Sequence, residues 1–145
     1  MIARDSIHVT NKVHMNHTNI LIYKILMDLD NYGKWWPGAQ FTTLGENRIE
    51  VSPSGPGSFT WDIESSVENE KIVLSYDGIF SGHGTWTIDK DGAMTYLTYT
   101  VSLDIKHGFY KFVNRFVPIR KLHAKMMKKV FRRLDRYLNN YHEES

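Results

Sequence analysis

PIRKLHAKMMKKVFRRLDRYLNNY, residues 118–141, is the stretch on which the fold turns. Stepped at about 100° per residue, it places Ile119, Leu122, Met126, Met127, Val130, Leu134, Tyr137, Leu138 and Tyr141 on one broad arc. Lys121, Lys125, Lys128, Lys129, Arg132 and Arg136 fall on the opposite arc. Pro118 suits the first turn, where a missing N–H costs nothing. The spacing predicts an amphipathic helix of 24 residues, about 36 Å long at a rise of 1.5 Å per residue. A stripe that wide needs a broad apolar surface to cover it.

The preceding residues supply that surface. From Phe41 to Ile105 the apolar period is two, and the strands read as Phe41–Leu44, Arg48–Val51, Ser58–Val67, Lys71–Phe80, Gly84–Asp89 and Ala93–Ile105. Short loops join them, among them PSGPG (53–57) and SGHG (81–84), so neighbouring strands form an antiparallel meander. In SGHG, Gly82 and Gly84 read as serving a bulge or a tight hairpin. Parity puts Phe59, Trp61, Ile63 and Val67 on the buried face, then Ile72, Leu74, Tyr76 and Phe80, then Trp86 and Ile88. Leu97, Tyr99, Val101, Leu103 and Ile105 complete it. Further upstream, Ile7, Val9, Val13 and Met15 alternate with polar residues as a half-buried strand, with Asn11 as the one polar residue on the apolar side. NHTNILIYKILMDLDNYGKWWPG (16–38) follows, a helix capped by Asn16 or Thr18 and then a turn or second short helix that Pro37-Gly38 ends. Phe109–Phe116 reads as a separate short helix or a lead-in to the last one. The order predicts an α+β fold in one domain over residues 1–145. A curved antiparallel sheet of six to seven strands wraps a long C-terminal helix, with two short helices after the first strand.

Composition narrows the function classes. The 145 residues are 41% hydrophobic and 13% aromatic, enough apolar surface to rule out a disordered chain. No cysteine occurs, which excludes disulfides, thiol catalysis and Cys-ligated metal sites. No apolar run reaches the roughly 18 residues of a membrane-spanning helix, and MIARDSIHVT lacks a signal peptide's apolar stretch. A cytoplasmic protein without integral membrane association is expected. GxGxxG, P-loop and GxSxG patterns are missing, and no cofactor is expected. His8, His14, His17 and His83 show no metal-ligand spacing and read as surface residues. Charge is uneven: residues 1–110 carry a net −5 and residues 111–136 a net +9. That basic arc could face an acidic partner, a lipid headgroup layer or nucleic acid, or be a solvated outer face. Aromatic stacking platforms beside it are not evident, so nucleic acid is not an expected partner.

The order of elements resembles the helix-grip fold of the START-related superfamily (SRPBCC), which includes polyketide cyclases, lipid-transfer proteins and pollen allergens. The residues that carry the likeness are IHVTNKVHM (7–15) with the helix after it, DLDNYGKWWPG (28–38), the strand pair GTWTI (84–88) and TYLTYTVSL (95–103), and KLHAKMMKKVFRRLDRYL (121–138). The likeness is greatest to the bacterial polyketide cyclase/dehydrase-like group. It implies a concave apolar space between sheet and helix, the usual place for a ligand.

The candidate residues follow from that geometry. Trp35, Trp36, Trp61 and Trp86 are either pocket walls or plain core. His123 lies near the centre of the apolar arc, with Met127 one turn on. A neutral imidazole there could hydrogen-bond a ligand carbonyl or act as an acid or base, or simply be satisfied by a buried tyrosine. Tyr76 and Tyr99 are its candidate partners, and Asn11 is a further polar group on the inner face. Ligand contacts are therefore expected from Asn11, Trp35, Trp61, Tyr76, Trp86, Tyr99, His123 and Met127. The expected activity is binding, or transport, of a small hydrophobic ligand such as a lipid or a polyketide-like aromatic. A cyclase or aromatase using His123, and an interaction module docking through the basic helix, are the alternatives. The oligomeric state is left open.

Overall fold

The computed structural model describes residues 5–141, so the outermost residues of the expected 1–145 domain lie outside the described residues. The chain runs β1 (Ser6–Met15), α1 (Asn19–Met27), a 3-10 helix (Leu29–Lys34), β2 (Ala39–Gly45), β3 (Arg48–Pro53), β4 (Phe59–Val67), β5 (Lys71–Gly78), β6 (Phe80–Asp91), β7 (Met94–Ile105), α2 (Gly108–Phe116) and α3 (Ile119–Asn139). The seven strands make one antiparallel sheet in the order β1-β7-β6-β5-β4-β3-β2. Each strand of the meander pairs with the next, and β1 closes onto β7 with Val9 opposite Val101 and Asn11 opposite Tyr99. α3 packs along β1. The expected helix-grip architecture is what forms.

Local chemistry sets the starts and stops. Thr18 caps α1, its Oγ1 accepting from the Leu21 N–H at 3.1 Å. Removing that hydroxyl in Thr18→Ala should cost about 1 kcal/mol. The loss reads as a lower urea midpoint at unchanged slope, and an unmoved midpoint would show that the cap contributes nothing. After α1, the Tyr32 hydroxyl donates to the Leu26 carbonyl at 2.6 Å, which folds the 3-10 segment back under the helix. α3 buries Ile119 at its start and then Met127, Val130, Phe131, Leu134 and Leu138. Phe131, which lies outside the arc read from the sequence, reaches Trp86 with ring centroids 6.5 Å apart. The first two turns of α3 are covered less, and that difference makes room for the site.

Three expectations change. SGHG (81–84) is not a turn: the reversal falls at Gly78-Ile79, and Gly82 and Gly84 sit inside β6, paired to Tyr76 and Leu74 on one side and to Leu103 and Val101 on the other. The cause is steric. A Cβ on Gly84 would collide with the Tyr99 hydroxyl and come 2.9 Å from the Tyr76 ring. Val67 faces solvent, 49% exposed, because a bulge between Ile63 and Ser65 inverts the parity of β4 beyond it. His17 is not a surface residue either: its side chain is 10% exposed, and Nε2 meets Asp135 Oδ1 of α3 at 3.0 Å. The other imidazoles noted earlier behave as expected, with His8 on Ser102 and His83 on Glu64 along the outer face. Among the described residues no group of three or more His, Asp or Glu side chains is placed to hold a metal ion.

Candidate ligand-binding hollow

Beneath the N-terminal half of α3 lies a hollow of about 320 Å³. Ile7, Val51, Phe59, Trp61, Tyr76, Phe80 and Leu103 form its floor on the concave face of the sheet. Trp36 to Ala39 close one side, Phe109, Tyr110 and Val113 of α2 another, and Ile119, Leu122, His123 and Met126 of α3 the roof. Pro53 and Ser54 of the PSGPG loop complete the rim. No charged side chain is on the lining. The volume lies toward the small end of ligand pockets, which run from roughly 300 to 1,000 Å³.

Two hydrogen bonds hold α2 over this space and a third caps its start. The Tyr110 hydroxyl donates to the Pro56 carbonyl at 2.9 Å, tying the helix to the PSGPG loop. His107 Nδ1 accepts from the Phe109 N–H at 3.1 Å and caps α2, so that nitrogen carries no proton. Asn114 Oδ1 accepts from the Ile119 N–H at 2.8 Å, which closes the corner where Pro118 offers α3 no side-chain cap. A flap is thereby built from a nine-residue helix in which no residue is fully buried.

Polar groups in the hollow are few. The hydroxyls of Tyr76 and Tyr99 share a hydrogen bond of 2.5 Å. One bond uses one of the two O–H protons, so the pair keeps a second proton to donate, and Tyr76 is on the lining of the hollow. Burial pushes the Tyr76 phenol up to about 12 and the Tyr99 phenol well above its ordinary value, so both stay neutral. His123 stacks on Tyr99 with ring centroids 6.4 Å apart and planes at 16°. Its Nδ1 is buried without a hydrogen-bond partner. Desolvation brings its pKa down to about 4, so at neutral pH the ring is uncharged, with one N–H donor and one acceptor nitrogen.

The structure brings Trp61, Tyr76 and His123 together on the lining. The other five are placed differently. Trp35, Trp86, Tyr99 and Met127 are packed behind the wall, each at most 1% exposed. Asn11 is not on the lining of the hollow and borders a separate groove with Phe131, Lys128, Arg132 and Asp135, its Oδ1 buried. Trp36 and Met126 take the wall positions instead of their neighbours Trp35 and Met127. Phe59, Tyr110 and Val113 were also missed as wall residues. Phe109, Phe112, Val113 and Phe116 fall at i, i+3, i+4 and i+7, a spacing that marks α2 as an amphipathic helix with an apolar face to place.

A curved antiparallel sheet gripping a C-terminal helix above an apolar hollow defines a START-like helix-grip protein. Solved structures agree on the fold. A conserved protein of Geobacillus kaustophilus superposes with a TM-score of 0.78 at 14% identity, covering 94% of this chain and 98% of its own. A START superfamily protein of Mycobacterium smegmatis gives 0.73 at 17% identity over 91% and 97%. A Thermus thermophilus protein gives 0.73 at 15% over 92% and 97%. The chain belongs to the family described as polyketide cyclase / dehydrase and lipid transport, whose sequence model matches residues 6–139. No curated protein matches the sequence.

Proposed function

We propose that the protein binds a small, largely apolar and uncharged ligand in the hollow under α3, with His123 and the Tyr76–Tyr99 pair fixing its orientation. The observation that carries this reading is a hollow of about 320 Å³ walled almost wholly by apolar side chains, with the neutral imidazole of His123 on its lining. A ligand carbonyl or hydroxyl that meets the imidazole would gain a hydrogen bond worth roughly 0.5–1.5 kcal/mol. With no cation or carboxylate on the lining, a charged end of the ligand would have to stay at the mouth. The family's description, naming polyketide cyclisation and lipid transport, supports apolar substrates of this kind.

Naphthol and farnesol are suitable neutral probes. At a hundredfold excess over Kd, binding contributes about 2.7 kcal/mol, which should raise the melting temperature by about 9 °C. Val113→Trp, which fills the hollow from α2, should abolish that shift while the variant's own melting stays cooperative. If neither probe stabilises the wild type, or Val113→Trp responds as the wild type does, the reading fails. A second reading, acid–base cyclisation, rests on the same imidazole, whose depressed pKa makes it a weak base. It requires turnover of an added polyketide-like substrate that His123→Ala abolishes while binding persists.

A further inference from the structure

We propose that the corner between α2 and α3 is a docking face for the surface of an anionic lipid bilayer. α2 turns large apolar side chains into solvent: Phe112 is 58% exposed and Phe116 72%. Their rings lean on each other with centroids 5.0 Å apart, and Val117 and Leu122 continue the strip around the corner. Stepping round α2 at about 100° per residue, the order is Tyr110, Val113, Phe109, Phe116, Phe112, Arg115, Lys111. The first three line the hollow, the next two face solvent, and the last two are cationic. On α3, Leu122 sits on the rim of the hollow with Lys121 and Lys125 beside it.

Charge selects the occupant. Ten Lys and Arg residues occur from Lys106 to Arg133, and no Asp or Glu occurs between Asp104 and Asp135. Exposed phenyl and aliphatic groups bordered by lysine and arginine match a bilayer interface, where the apolar groups enter the acyl boundary and the cations meet anionic headgroups. A second copy of the chain is disfavoured, because a twofold contact through this corner would set like charges face to face. Nucleic acid is disfavoured because Phe112 and Phe116 pack on each other at 58° instead of standing apart as platforms for successive bases. The strip is also continuous with the mouth of the hollow through Phe109 and Leu122. An apolar ligand leaving there would enter hydrocarbon without crossing water. That last step rests on the ligand-binding reading, but the docking itself does not.

Co-sedimentation of the full chain with vesicles tests the idea. Binding to phosphatidylglycerol-containing vesicles is expected, at least tenfold weaker binding to pure phosphatidylcholine vesicles, and weakening with added salt. Phe112→Ser with Phe116→Ser should lower affinity for the anionic vesicles at least tenfold while melting and the naphthol shift stay as in the wild type. If that pair does not fold, Arg115→Glu with Lys121→Glu should lower affinity to the same extent. Equal binding to both vesicle types, no binding to either, or full binding by both variants overturns the proposal. So does a wild-type dimer that the phenylalanine variant dissolves, or an oligonucleotide complex that anionic vesicles fail to displace. The naphthol shift is measured without vesicles, so a failure here leaves the ligand-binding reading standing.

Discussion

Trp86→Ala should remove about 3–5 kcal/mol of folding stability, the usual cost of truncating a buried tryptophan. Its indole is fully buried, with Tyr99 at 4.2 Å, Trp35 at 6.3 Å and Trp36 at 6.4 Å between ring centroids. Phe131 of α3 touches it from the other side, so Trp86 is where the sheet, the 3-10 segment and the long helix meet. Domains of this size have roughly 5–15 kcal/mol to lose, so the variant should sit close to the edge of folding. Urea denaturation at unchanged slope measures it. Because Trp86 is not on the lining, whatever variant protein folds should still bind naphthol within a few-fold of the wild type. A loss below about 1 kcal/mol would mean the indole is not well packed, since burial of that area alone contributes more.

The contrast with Trp61 shows how far a sequence can be read. Both tryptophans lie on the inward parity of their strands, and period-two alternation says only that each faces the helix. It does not say whether the helix is touching at that point. Trp61 faces the open end under His123, while Trp86 faces the closed end under Phe131. The register of the sheet against α3 decides between them, and that is a tertiary quantity. The Trp35-Trp36 and Met126-Met127 pairs pose a sharper version of the problem. Chemically equal neighbours point in different directions, and a small rotation of the backbone chooses which one lines the hollow. Composition carries no trace of that rotation.

The misplaced turn has a different origin. A polar, glycine-rich SGHG between two apolar runs looks like a loop, yet the strands reverse at Gly78-Ile79, where the signal is the shorter Asp77-Gly78 pair and Ile79 itself is buried. The backbone identifies the position: Gly78 has φ +131°, which a β-branched or bulky residue cannot adopt without strain. Gly84 was legible as a necessary glycine but not for its actual reason. Its missing Cβ leaves room for the Tyr99 hydroxyl beside the Tyr76 ring, so a glycine in β6 is part of how the two tyrosines pair. What was plain from the sequence was the grip itself, because a stripe as wide as that of α3 has few ways to be buried.

His123→Leu separates the binding role of the imidazole from any role in stability. Above pH 6.5 both folded and unfolded chains hold a neutral ring, and the wild type should have its full stability. As pH falls through 6.5 the unfolded chain takes up a proton that the folded chain refuses until about pH 4. Stability should therefore drop across that window by up to about 3 kcal/mol, each tenfold difference in proton affinity being worth about 1.4 kcal/mol. In His123→Leu this component of the acid loss should vanish. At neutral pH the leucine variant should melt at or above the wild-type temperature, because an unpartnered buried nitrogen is replaced by a side chain that needs none. The same variant should bind naphthol at least tenfold more weakly, the loss of one hydrogen bond to a buried polar atom being worth on the order of 1.5 kcal/mol. That combination, stability unharmed and binding lost, would mark a polar group placed for what it binds. An unchanged acid profile in the variant would assign the titration to another group, and unchanged naphthol affinity would take His123 out of the site.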